Sequence, residues 1–100
     1  MGRMVTLNVG TKELMSIDLA DRIQGISDIS PYVVQACIKS EDELTTPQAY
    51  SNVANKVLMR VDVLIDTTVG LWSEGTYKLY LKITIAPEVV ILGPVEFGLS

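Results

Sequence analysis

From Tyr77 to Ile85 the chain alternates without a break, and this constrains the fold more than any other feature. Tyr77, Leu79, Leu81, Ile83 and Ile85 share one parity; Lys78, Tyr80, Lys82 and Thr84 share the other. Successive side chains of a strand point to opposite faces, so the run reads as one apolar face and one wet face. The same period of two recurs along the chain. Val5, Leu7 and Val9 alternate with Thr6 and Asn8, and Met15, Ile17 and Leu19 with Ser16 and Asp18. Tyr32, Val34, Ala36 and Ile38 alternate with Val33, Gln35 and Cys37. Val57, Met59, Val61, Val63 and Ile65 form one further run. Two last runs, Val89 to Leu92 and Val95 to Leu99, are split by Gly93-Pro94.

Breakers fall between the runs: Gly10-Thr11, Gly25 to Pro31, Ser40 to Asn55, Asp66 to Gly75, and Ala86-Pro87. About seven short strands at this spacing predict an all-β, antiparallel Greek-key β-sandwich, one domain over residues 1–100. No stretch has a convincing helical period. In TTPQAYSNVANK, Pro47 offers one short helical turn, but an irregular loop is expected.

Composition narrows the function. Apolar residues make up 48% of the chain and mean hydropathy is +0.32. A domain this small has limited interior, so part of that apolar surface is expected to meet another chain, as in a homo-oligomer or larger assembly. Net charge is -4, and the lysines and arginines are scattered in sequence. Nucleic-acid binders concentrate positive charge, so no direct nucleic-acid partner is expected. No apolar run reaches the length of a spanning helix, and Thr6 and Asn8 interrupt any signal-peptide core, so no membrane partner is expected.

Catalytic chemistry finds little to work with. The chain has no histidine, which removes Ser/His/Asp and Cys/His catalysis and the commonest zinc ligand. Cys37 is the single cysteine; it can form no intrachain disulfide and reads as a small buried residue on a strand. No phosphate-cradling glycine motif is present. Ser40 to Glu43, SEDE, lacks the spacing of a calcium loop and reads as a solvated hairpin tip. No enzyme activity, cofactor or metal is expected.

Two positions in the opening stretch carry more detail. In LWSEGTYKL, Gly75 and Tyr77 enter a strand after a polar loop. In Greek-key sandwiches a tyrosine here turns its hydroxyl back to the loop backbone and pins the crossover. Leu71 or Trp72 is the expected packing partner. Leu79 stands where an immunoglobulin domain carries its second cysteine, so packing would join the sheets instead of a disulfide. Outside, Lys78, Tyr80 and Lys82 read as a solvated face.

The segment GLWSEGTYKLYLKITIAPEVVILGPVEFGLS resembles the closing part of small immunoglobulin-like domains in bacteriophage structural proteins. The matching positions are Gly75, Tyr77, Pro87, Glu88, Gly93, Pro94 and Phe97. The preceding MRVDVLID resembles the pre-corner strand of such domains, including the N-terminal domain of some phage baseplate upper proteins. The likeness covers residues 57–100. It implies a virion structural protein, assembled in the host cytoplasm, with no catalytic residues. A capsid decoration or cement protein bound to the major capsid protein is the favoured role; a neck, tail or baseplate component is the alternative.

The candidate interface is Val89, Val90, Ile91 and Leu92, with Tyr80 beside them. Their alternation is weak, and two readings stand: cover by another chain, or burial of both faces inside the sandwich. A carbohydrate-binding or adhesion module is the alternative of another class, and would need Tyr50, Trp72 and Tyr80 exposed together.

Overall fold

A computed structural model describes residues 5–40, 50–69 and 72–100. Eight strands lie in these segments: β1 (Val5–Leu7), β2 (Lys12–Asp18), β3 (Val33–Ser40), β4 (Ser51–Asn52), β5 (Asn55–Val57), β6 (Arg60–Asp66), β7 (Gly75–Ile85) and β8 (Glu88–Leu99). They form two sheets, β1-β8-β7-β3-β4 and β2-β6-β5. The chain is therefore an all-β sandwich of two sheets.

Alternation decides which residues lie between the sheets. Ile83, Leu81 and Leu79 of β7 pair with Val34, Ala36 and Ile38 of β3, and their inner faces bury together. From the other sheet, Met15 and Ile17 of β2 and Val61, Val63 and Ile65 of β6 complete the core. Phe97 and Leu99 at the end of β8 are buried with them. Burial of these side chains, at about 1.5–3 kcal/mol each, drives the two layers together.

Four sequence expectations need correction. The sandwich is not wholly antiparallel, because β1 runs parallel to β8, with Val5 opposite Phe97 and Leu7 opposite Leu99. The described strands number eight. The expected loop from Ser40 to Asn55 contains β4 and runs into β5, since Gln35 and Ala36 pair with Asn52 and Ser51; residues 41–49 and the SEDE carboxylates lie outside the described residues. Finally, the run from Val57 to Ile65 is a hairpin, not one strand. Val57 pairs with Arg60 across a two-residue turn at Leu58 and Met59.

That turn contains no glycine or asparagine. Leu58 adopts φ 53°, the conformation that L residues usually avoid. Its carbonyl accepts from the Ile29 N–H at 2.7 Å, and the Met59 carbonyl accepts from the Leu19 N–H at 2.7 Å. Both donors belong to fully buried residues of the connection after β2. The turn is thus fixed by distant chain, which local sequence cannot announce.

The other end of the sandwich is pinned by Thr67, the buried polar residue just after β6. Its hydroxyl accepts from the N–H groups of Gly10 and Thr11 and donates to the Thr11 carbonyl at 3.1 Å. One side chain thereby closes the β1–β2 turn, where Gly10 has φ 85°.

Candidate functional site

The outer face of the five-stranded sheet is built by the residues of opposite parity to the core. Cross-strand register sets them in rows. Val33, Thr84 and Val89 form the first row, and Gln35, Lys82 and Ile91 the second. Cys37 and Tyr80 stand in the third; Lys39, Lys78 and Glu96 stand in the fourth. Val33, Val89 and Ile91 remain 51%, 51% and 53% exposed. A sheet face with three large aliphatic groups half in water, on adjoining rows, is a surface suited to contact.

The structure divides the candidate interface in two. Val89 and Ile91 point outward and share this face with Tyr80. Val90 and Leu92 pair with Ile83 and Leu81 and pack against the core. Burial of both faces inside the sandwich is thus overturned for Val89 and Ile91. Thr84 lies on the wet face read from the sequence; Val33, opposite it, was not assigned there. Val33 did leave a signal, an apolar residue in the same parity as Gln35 and Lys39.

Tyr80 owes its position to an irregularity. The register of β7 and β8 shifts between Leu79 and Leu81, so that Tyr80 faces Gly93 and Pro94 together. Gly93 has φ 123°, and a Cβ there would lie 2.8 Å from the Leu79 carbonyl oxygen and 3.3 Å from the Tyr80 ring. The single strand β8 therefore absorbs the Gly93-Pro94 break as a bulge instead of ending there.

Cys37 is buried although it lies on the outer side, with Tyr80 opposite it in register and the Tyr50 phenol beside it. Burial pushes the Tyr50 phenol above its ordinary value, and the neighbouring Cys37 thiol adds to this. Lys82 Nζ lies 5.2 Å from the Tyr50 ring centroid, and Lys39 Nζ lies 5.2 Å from that of Tyr80. Lysines scattered in sequence thus converge: among the described residues of these rows, Lys39, Lys78 and Lys82 outnumber Glu96, in a chain of net charge -4.

The corner residues sit at one end of the same sheet. The Tyr77 hydroxyl donates to the Ser73 carbonyl, and the ring lies 5.8 Å from Phe97 and 5.5 Å from Trp72. Gly75 begins β7 with φ 147°, and Leu79 is fully buried. Trp72 is the packing partner in view; Leu71 lies outside the described residues. Trp72 does not join Tyr50 and Tyr80, because its Nε1–H donates to the Val69 carbonyl and its ring packs on Tyr77.

Among the described residues no three metal-ligating side chains cluster, and no helix is long and apolar enough to cross a membrane. No family model matches the chain, and neither curated proteins nor solved structures yield a match.

Proposed function

We propose that the chain is a non-catalytic assembly protein with an immunoglobulin-like Greek-key sandwich, docking through the outer face of its five-stranded sheet. The observation that carries this is the half-exposed group Val33, Val89 and Ile91, with Lys82 in the row of Ile91 and Lys39 and Lys78 further along the same face. Its complement is an apolar protein surface with an acidic border.

The immunoglobulin-like assignment is supported by connectivity. The chain crosses between sheets from β2 to β3, from β5 and β6 back to β7, and its first strand lies beside its last. A tyrosine corner at the β6–β7 crossover accompanies such connectivity.

The virion role rests on the resemblance of residues 57–100 to phage structural domains, with decoration of a capsid shell favoured over a neck, tail or baseplate position. A repeated shell lets a modest face act by avidity. The sugar-binding alternative has less support, because Lys82 and Lys39 lie against the ring faces that a sugar would stack on.

Mass spectrometry of purified particles from the encoding culture tests the role. The expected result is this chain at a fixed ratio to the major shell protein; its absence from particles refutes the virion reading. Val89→Lys with Ile91→Lys tests the face. Loss from particles with unchanged melting supports it, and full retention moves docking elsewhere.

A further inference from the structure

Strand β2 lies at the margin of the three-stranded sheet. Strand β6 pairs with it along all seven residues without a register shift, and no described strand lies on its other side. The hydrogen bonds just beyond its ends show which backbone groups face outward. The Leu19 N–H donates to Met59, and the Thr11 carbonyl accepts from Thr67. Bonding direction alternates along a strand, so Glu13, Met15 and Ile17 point their backbone groups at β6. Lys12, Leu14, Ser16 and Asp18 point theirs at the open edge. The strand has no proline or bulge to blunt that edge, and Leu14 is 55% exposed.

The side chains of this edge are self-complementary. Lys12 and Asp18 are equidistant from Met15 and share the outward face of the sheet. Antiparallel pairing of two copies about Met15 sets each Lys12 opposite Asp18 of the other copy. Within the chain Lys12 already faces Asp66, and Asp18 faces Arg60. One row of the joined sheet then reads Asp66, Lys12, Asp18 and Arg60, the last two from the second copy, with alternating sign throughout. A slip of two residues sets Lys12 against Ser16, or Asp18 against Leu14, and loses both charge pairs. Edge charges usually keep edges apart; opposite signs at mirrored positions permit one register and disfavour its neighbours.

We propose that two copies of this chain pair through the open edges of β2, antiparallel about Met15, and join their three-stranded sheets into one. The contact is isologous, so a two-fold closes it. Backbone hydrogen bonds supply attraction and the charge rows supply register. The outer face of the five-stranded sheet stays free for a different partner.

Light scattering behind a sizing column, over a concentration series at low salt, tests this. Mass is expected to climb from 10.9 kDa towards twice that value. Lys12→Asp and Asp18→Lys each set like charges opposite one another on both sides of the two-fold, and weaken the dimer by roughly tenfold or more. Mixing the two variants restores a heterodimer, because opposite charges then meet again. Ser16→Pro removes an edge-facing N–H without touching the β6 ladder, and is expected to give a folded monomer by circular dichroism. If a charge variant fails to fold, Ser16→Pro decides. A wild-type monomer at every concentration overturns the proposal, as does a dimer indifferent to these changes or a mixture that stays monomeric. Ile91→Lys is expected to leave the dimer intact; if it dissolves the dimer, the copies meet through the other sheet and the proposal falls.

Discussion

The Tyr77 hydroxyl donates to the Ser73 carbonyl at 2.9 Å, and the Ser73 N–H returns a longer bond of 3.3 Å to the same oxygen. The two contacts tie the loop between the sheets to the strand it enters. The ring is meanwhile anchored on Phe97, which is fully buried. Tyr77→Phe keeps the ring and removes both bonds. It is expected to cost about 1 kcal/mol, seen as a lower denaturant midpoint with an unchanged slope. An unaltered midpoint would mean that water replaces the hydroxyl at no loss.

Gly93 is the position where a methyl group should do the most harm. An added Cβ meets the Leu79 carbonyl oxygen at 2.8 Å, and φ 123° strains any L residue. The neighbour is backbone in the middle of the largest sheet, so it has little room to yield. Gly93→Ala is expected to destabilise by about 1–3 kcal/mol in thermal or chemical unfolding. Because the bulge supports Tyr80, the tyrosine's amide shift is expected to move as well.

The turn at Leu58 offers the opposite case. Its φ of 53° carries a cost of about 1–2 kcal/mol for an L residue, and its side chain is 62% exposed. A glycine at the first turn position relieves the strain, though it adds entropy to the unfolded chain. Leu58→Gly is expected to gain about 0.5–1 kcal/mol, read as a higher melting temperature. A loss would show that the exposed leucine makes contacts that outweigh its backbone strain.

Acid should act through Asp66. The Thr68 hydroxyl and then the Thr68 N–H hold its carboxyl below the ordinary 3.8, against desolvation, and Lys12 adds the smallest lowering contribution. A depressed value means that the folded state favours the charged form. Its contribution is therefore present above pH 3.8 and fades as pH falls through the lower folded value. Melting temperatures of the wild type and Asp66→Asn are expected to differ at neutral pH and converge in acid. A constant gap across the series would assign the difference to something other than this carboxyl.

Sequence by itself determined the class of fold and much of the core. Period two from Tyr77 to Ile85, and in β2, β3 and β6, fixes which side chains face inward, because a strand offers only two directions. Gly75 and Tyr77 ahead of an apolar parity also suggested a ring turned back to the preceding loop, where its hydroxyl donates to the Ser73 carbonyl. Tertiary structure alone decided three things. It folded the unbroken run Val57 to Ile65 into a hairpin, since the turn carbonyls are held by Leu19 and Ile29, far away in sequence. It split Val89 to Leu92 between core and solvent, because Ile83 and Leu81 of β7 take Val90 and Leu92 inward and leave Val89 and Ile91 outside. And it gathered Val33, Tyr80, Lys39 and Lys82 on one face. Cross-strand register brings such residues together, and register depends on pairing between strands that a period of two does not encode.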